Sequence, residues 1–131
     1  MIQYRNSRDL TATDLSQVFE KSGIKRPFGD LERLQKMIDN ADLIISAWEE
    51  DRLIGIARAV TDFSYCCYLS DLAVDRNYQK KGIGKELVRH VRETLGSEVS
   101  LVLLSAPAAV DYYPRIGFSH NDKCFIIPRE R

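Results

Sequence analysis

The segment that most constrains the fold of this chain runs from Tyr78 to Lys85 and reads Tyr-Gln-Lys-Lys-Gly-Ile-Gly-Lys. It follows an apolar segment ending at Val74 and opens a stretch whose apolar side chains recur every three or four residues, which predicts a strand, a short loop and a helix. Unpaired N–H groups and the helix dipole at such a helix start attract an anion, and two glycines let phosphate oxygens approach the main chain. Lys80, Lys81 and Lys85 add positive charge there, so the pattern indicates a phosphate-binding site.

Two familiar phosphate-binding motifs do not fit this loop. A Walker A loop needs a glycine five residues before its Gly-Lys pair and a hydroxyl residue after the lysine, but Gln79 and Glu86 occupy those positions. The dinucleotide fingerprint needs a third glycine where Leu87 stands, and a tighter first turn than the loop after Val74 allows. The remaining pattern is Gln-x-x-Gly-x-Gly. A basic, solvated helix start without a ligand is the alternative interpretation.

Composition predicts one domain covering all 131 residues. Nineteen basic and nineteen acidic residues cancel, which disfavours nucleic-acid binding through a broad positive face. No apolar run approaches a membrane span, and the first residues lack the apolar core of a signal peptide, so we expect a cytoplasmic protein that binds neither nucleic acid nor a membrane. No metal is expected, because the cysteines and histidines lack metal-ligand spacing; they are Cys66, Cys67, Cys124, His90 and His120.

Hydrophobic periodicity and turn residues divide the chain into strands and helices. Strands are predicted at 2–5, 43–48, 52–60, 66–74 and 100–104, with a closing pair at Phe118 and 125–127. Helices are predicted from Leu15 to a stop at Gly23, from an N-cap at Asp30 to Ile38, at 82–95, and at 108–113 with Pro114 at the end. The segment 66–74 is apolar on both faces and therefore predicted to be central, and 100–104 is predicted to be another buried strand. The order is β-α-α-β-β-β-α-β-α-β-β, which predicts a mixed α/β sheet flanked by helices.

The segment from Leu69 to Gly84, LSDLAVDRNYQKKGIG, is similar at nearly every position to the strand and pyrophosphate loop of the GNAT superfamily of acyl-CoA-dependent N-acetyltransferases. A second segment, from Ala109 to Phe118, resembles the family's closing Ala-x-x-Phe-Tyr-x-x-x-Gly-Phe motif. The predicted element order also matches the family order, so the resemblance covers essentially the whole chain. It implies a mostly antiparallel sheet with splayed central strands. The chain departs from the family at Ala106, where many members carry an asparagine that contacts the cofactor.

The resemblance implies direct transfer of an acetyl group from the co-substrate acetyl-CoA to a primary amine, without a metal. The pyrophosphate would be bound by the backbone and lysines of the loop; these residues are Gln79, Lys80, Lys81, Gly82, Ile83, Gly84 and Lys85. The amide-rich pantetheine arm would pair like an added strand with the backbone of Leu72 and Val74. A backbone N–H near Leu72 or Ala73 would stabilise the oxyanion.

Two side chains are the candidates for proton transfer. Tyr113 matches the family's tyrosine that protonates the departing thiolate, and its ordinary pKa of about 10 suits that donation. The neighbouring Tyr112 is assigned to packing. Asp71 would accept the proton of the amine through water. Each residue has an alternative interpretation. Tyr113 could be an ordinary aromatic packing residue, with Tyr112 as the exposed tyrosine. Asp71 could be a solvated or hydrogen-bonded strand residue.

The sequence leaves the acceptor open among a small free amine, a polyamine, an aminoglycoside and a protein or peptide N-terminus. In the family, acceptor specificity comes from the first two helices, the loop at 23–30 and the loop after the third strand. One rival hypothesis is a non-catalytic acyl-CoA-binding sensor or partner module. A second rival hypothesis is a nucleotide-binding regulatory domain, which is disfavoured because the loop fits neither the Walker A nor the dinucleotide pattern. Homodimers are common in the family, and the sequence does not decide the oligomeric state.

Overall fold

The computed structural model describes all residues from 1 to 131. Its elements are β1 (Ile2–Asn6), α1 (Ala12–Ser22), α2 (Leu31–Asn40), β2 (Leu43–Glu49), β3 (Arg52–Thr61), β4 (Cys66–Val74), α3 (Ile83–Leu95), β5 (Ser100–Val102) and α4 (Tyr112–Arg115). The strands form one sheet in the order β1-β2-β3-β4-β5, antiparallel except for the parallel pair β4 and β5. The predicted mixed α/β, mostly antiparallel fold is confirmed. None of the helices is long and apolar enough to cross a membrane.

Local sequence signals set the ends of the first two helices. Thr11 and Asp14 form a capping box at the start of α1, each accepting a hydrogen bond from the backbone N–H of the other. Gly23 ends α1 in the left-handed conformation, with φ of 81°. Asp30 caps α2 by accepting from the N–H of Arg33, as the sequence predicted. These caps fix both ends of the loop that joins the two helices.

Two apolar clusters cover the two faces of the sheet. The cluster under α3 includes Ile45, Ile54, Leu87, Val88 and Val91. The cluster under α1 and α2 includes Leu15, Phe19, Leu34, Ile44 and Ile56. Full burial of one such side chain contributes about 1.5–3 kcal/mol, and a one-residue slip of a central strand would expose a whole row of them. The two clusters therefore fix the register of β2 and β3.

A β-bulge at Ser70 changes the faces that the side chains of β4 present. Arg58 of β3 lies opposite Asp71, whereas the next residue of β3 lies opposite Leu69, so Ser70 is the extra residue. Before the bulge, Leu69 packs in the cluster under α3; after it, Ala73 packs in the cluster under α1 and α2. The bulge therefore turns Asp71 toward the side of α1 and α2.

The strands β4 and β5 separate soon after they meet. Their parallel ladder joins Cys66–Tyr68 to Ser100–Val102 and ends there. The rest of β4, residues 69–74, has β3 on one side and no strand on the other. The splayed central strands that the family resemblance implied are therefore present, and they leave a stretch of strand backbone open in the middle of the sheet.

The fifth strand is shorter and more exposed than the sequence predicted. It covers Ser100–Val102 instead of 100–104, and the side chains of Val102 and Leu104 are about half exposed. Leu101 still packs against the cluster under α3. Val102 packs in neither apolar cluster, so the face of β5 opposite Leu101 lacks the cover that the apolar composition of this strand suggested.

The predicted closing strand pair is wrong. Phe118 and residues 125–127 lie in irregular backbone, and Phe125 and Ile127 are 93% and 97% exposed. Aromatic and β-branched residues satisfy the local preference for a strand, but a strand also needs a partner, and β5 pairs only with β4. The observed order therefore ends with β5 and α4.

The last helix lies later in the chain than predicted. Residues Pro107–Ala109 form a single 3-10 turn, and α4 covers Tyr112–Arg115 instead of 108–113. Pro114 lies inside the first turn of α4 rather than at its end. Proline is tolerated there because the N–H that it lacks would have no helical partner. This shift puts two adjacent tyrosines at the start of α4.

Candidate active site

A cleft of about 480 Å³ lies between the open part of β4, the start of α3 and α4. The N–H of Asp75 donates to the carbonyl of Ile54 in β3 at 2.8 Å. Successive residues of a strand point their backbone groups to opposite sides, so those of Leu72 and Val74 point away from β3 and into the opening. The following predicted residues line the cleft: Leu72, Val74, Gln79, Lys80, Gly82, Ile83, Gly84, Lys85 and Tyr113.

Three predicted site residues do not line the cleft, namely Asp71, Ala73 and Lys81. Ala73 is buried in the cluster under α1 and α2, and its backbone groups, like those of Asp75, point toward β3 rather than into the opening, so it does not supply the predicted oxyanion N–H. Lys81 is exposed, with its ammonium 5.4 Å from the centre of the Tyr78 ring. A wider groove of about 970 Å³ runs along the other flank of α3, but of the predicted residues only Gly82 and Lys85 border it.

The loop before α3 offers a run of free backbone donors. The N–H groups from Lys80 to Lys85 have no acceptor in the protein, since the first hydrogen bond of α3 joins the N–H of Glu86 to the carbonyl of Gly82 at 3.0 Å. Lys80 and Gly82 both have positive φ, 66° and 81°, which makes neighbouring N–H groups converge as an anion-binding nest. The loop therefore fits a phosphate group.

The side chain of Gln79 attaches this loop to β4. Its amide donates to the carbonyl of Val74 at 2.8 Å and, more weakly, to the carbonyl of Ser22 at 3.4 Å. The amide thus links the end of β4, the loop and the end of α1. Because Gln79 makes these contacts within the protein, its structural role is to hold the nest beside the open strand backbone.

Tyr113 lies half-buried in the cleft. Its ring makes edge-to-face contacts with Phe118 and Tyr112, at centroid distances of 5.6 and 5.3 Å. Burial raises the pKa of Tyr113, the neighbouring phenol of Tyr112 raises it further, and the positive charge of Arg26 lowers it. Since the net pKa lies above its ordinary value, the phenol keeps its proton at neutral pH and can donate it.

Tyr112 also lies in the cleft, although the sequence assigned it to packing. A Cβ placed on Gly84 would come 2.6 Å from the Tyr112 hydroxyl, so this phenol lies directly over the first turn of α3. Burial raises its pKa, as it does for Tyr113. The signal for this position was available in the sequence, because a tyrosine stands where the family motif has phenylalanine.

Asp71 is fully buried beneath the bulge rather than exposed to an acceptor. Its Oδ1 accepts a hydrogen bond from Nε of Arg26 at 2.6 Å, and its Oδ2 accepts from Nε of Arg58. A general base must reach the proton that it removes, and both oxygens of this carboxylate are already engaged. The geometry therefore favours the hydrogen-bonded alternative for Asp71 over its predicted role as a base.

Two arginines of this cluster were not predicted as site residues. Nη2 of Arg26 donates to the carbonyl of Ser70 at 2.7 Å, and Nη2 of Arg58 donates to the Ser70 hydroxyl at 3.1 Å. The pair thus holds the bulge from both sides and attaches the loop after α1 to β4. Sequence periodicity does not reveal such pairing, because Arg26 and Asp71 are 45 positions apart.

Replacing Asp71 with asparagine is expected to lower the free energy of unfolding by about 3–5 kcal/mol. The change leaves the guanidinium of Arg58, which is only 10% exposed, without its counter-charge. Denaturant titration measures the loss. A double variant, Asp71→Asn with Arg58→Met, should recover part of it because the buried charge is then gone. A single variant as stable as the parent would contradict the structural role.

Comparisons with known proteins agree with this arrangement. The model of the acetyltransferase (GNAT) family matches residues 9–118. An uncharacterized ycf52-like N-acetyltransferase of Prochlorococcus marinus is 31% identical, over 88% of this chain and 67% of that protein. A probable acetyltransferase of Glycine max is 28% identical, over 89% of this chain and 51% of that protein.

The fold is shared with solved structures as well. A probable acetyltransferase of Staphylococcus aureus superposes with a TM-score of 0.84 at 21% identity, over 98% of this chain and 100% of that one. At this level of identity the likeness shows the fold alone. The chain spans 67% and 51% of the lengths of the two curated relatives described above, so it covers only part of each.

Proposed function

The chain belongs to the acetyltransferase (GNAT) family, and on that premise we propose that it transfers an acetyl group from acetyl-CoA directly to a primary amine. The observation that carries the proposal is the nest of free N–H groups at Lys80–Lys85, placed beside the open backbone of β4. The nest fits a pyrophosphate, and the open strand backbone fits an amide chain. When bound, acetyl-CoA supplies an activated acetyl thioester.

Different residues of the chain serve binding and proton transfer. The backbone groups of Leu72 and the N–H of Val74 hold the amide arm, since the Val74 carbonyl already accepts from Gln79. An N–H of this open stretch donates to the carbonyl oxygen of the acetyl group, where negative charge develops. The hydroxyl of Tyr113 gives its proton to the departing sulfur. Lys80 and Lys85, which line the same cleft, add positive charge to the phosphate end.

No side chain of the cleft is in a position to act as a general base. No aspartate or glutamate lines the cleft, and Asp71 is committed to its two arginines. We therefore propose that the amine reaches the acetyl group as the free base and that water takes the remaining proton. A cytoplasmic location and a homodimer stay predictions.

The test is release of free CoA thiol in the presence of a panel of amines. We expect acetyl-CoA to be consumed with at least one amine, and consumption to stop when that amine is omitted. The main rival, a non-catalytic acyl-CoA-binding module, binds acetyl-CoA without releasing thiol for any amine. Saturable binding of acetyl-CoA with no thiol release across small amines, polyamines, aminoglycosides and peptides would therefore favour the rival.

A further inference from the structure

The ion cluster beneath the bulge of β4 carries an excess of positive charge. It holds two guanidinium groups, of Arg26 and Arg58, and a single carboxylate, of Asp71. Arg58 is nearly buried, but the side chain of Arg26 is 28% exposed. The unbalanced charge therefore reaches solvent through Arg26.

Arg26 has hydrogen-bonding capacity that the protein does not use. Nε donates to Asp71, Nη1 donates to the carbonyl of Lys25 at 2.8 Å, and Nη2 donates to the carbonyl of Ser70 at 2.7 Å. Each terminal nitrogen of a guanidinium carries a second N–H, and no atom of the protein accepts from either. The three contacts hold the guanidinium plane in a fixed orientation, so these two N–H groups are pre-oriented donors.

Arg26 does not line the cleft itself, but it contacts the part of β4 that leads into the reacting end of the cleft. It is bonded to Ser70, two residues before the open backbone of Leu72, and its charge acts on the phenol of Tyr113. No acidic side chain lines the cleft to balance that charge or to attract a polycation. An acceptor that approaches this end of the cleft therefore meets the single excess positive charge of the cluster and the two free N–H donors of Arg26.

We propose that the acceptor is an amine that carries a carboxylate, and that Arg26 binds this carboxylate while the amine nitrogen faces the acetyl group. The inference rests on the proposed function and names its substrate class. The planar fork of a guanidinium matches the two oxygens of a carboxylate, and a single excess positive charge matches a monoanion. Arg26 is then a specificity-determining residue of the acceptor side.

The test compares α-amino acids with the corresponding amino acid amides, which differ in the carboxylate. In the parent protein we expect kcat/KM to favour the acids by about ten- to a hundredfold, the range of hydrogen bonds to charged groups. Arg26→Gln should reduce that preference to about one, mainly through KM of the acids. Arg58 stays paired with Asp71 in this variant, so the fold is expected to survive, and a thermal melt checks it.

A matched control is Lys25→Gln, which removes the same charge from the neighbouring exposed position and leaves the contacts of Arg26 in place. It should keep the preference for acids. Arg26→Lys keeps the charge without the fork and should give an intermediate preference. An Arg26→Gln variant that loses activity on acids and amides equally would overturn the inference in favour of a structural role.

The outcome also separates this inference from the proposed function. A parent protein that acetylates amides or polyamines as well as it acetylates amino acids would overturn the carboxylate inference and leave acetyl transfer intact. Failure to acetylate any amine, with acetyl-CoA binding preserved, would instead overturn the proposed function and this inference with it.

Discussion

Replacing Tyr113 with phenylalanine is expected to lower kcat by on the order of a hundredfold or more, with little change in KM for acetyl-CoA. The variant keeps the ring and therefore the edge-to-face contacts with Phe118 and Tyr112, and it removes only the hydroxyl. Because burial raises the pKa of this phenol, the parent protein holds a transferable proton at neutral pH. Steady-state kinetics with an accepted amine measures the loss.

Tyr112→Phe is the matched control, because it removes a phenol from the same cleft and the same helix. Its hydroxyl lies over Gly84, away from the proposed proton transfer, so kcat should change little. The raised pKa of Tyr113 also predicts that its donation is lost only at a pH above the range in which an ordinary tyrosine titrates, since the protonated form is the active one. Near-parental turnover in Tyr113→Phe would reject the assignment, and a larger loss in Tyr112→Phe would move the role to Tyr112.

Replacing Gly84 with aspartate is expected to remove measurable binding of acetyl-CoA. The new carboxylate would stand among the free N–H groups that fit the pyrophosphate, where it repels phosphate and competes for the donors. The fold should survive, because the position lies in the first turn of α3, where an acidic side chain favours the helix. Isothermal calorimetry measures the affinity, and ATP and NAD should bind far more weakly than acetyl-CoA to the parent protein.

The control for Gly84→Asp must separate the effect of the added charge from the steric effect of the added Cβ. A Cβ at Gly84 would come 2.6 Å from the hydroxyl oxygen of Tyr112, but 3.5 Å from the next atom of that ring. Gly84→Ala in a Tyr112→Phe background therefore adds the Cβ without the collision and without the charge, and it should retain more affinity for acetyl-CoA than Gly84→Asp does. Unchanged affinity in Gly84→Asp would refute the placement of the pyrophosphate at this loop.

The fold up to the end of α3 could be predicted because each element carries its own signal. Helix α1 has a capping box and a glycine stop, α2 has Asp30 as its cap, and α3 has an apolar stripe that ends at Gly96. The closing strands could not be excluded in the same way. Residues 125–127 have strand composition, and whether such a segment pairs depends on β5, which lies far away in the chain.

The same distinction between local signals and distant contacts holds for the site. The anion-binding loop was predictable because its donors are backbone groups, whose positions follow from a strand, two glycines and a helix start. The position of Asp71 was not, because a single bulge at Ser70 decides which face its side chain takes. Arg26 was missed because its partner lies in another element, and loops carry no periodicity that would reveal such a contact.

The most direct test of acetyl transfer to an amine follows the acetyl group itself. Acetyl-CoA labelled in its acetyl carbon is incubated with the parent protein and an amine that supports thiol release, and the products are resolved by mass spectrometry. We predict one labelled acetyl group on the amine nitrogen for each thiol released, and no labelled protein when the amine is omitted. Label that is recovered as free acetate, or that accumulates on the protein, would contradict direct transfer to an amine.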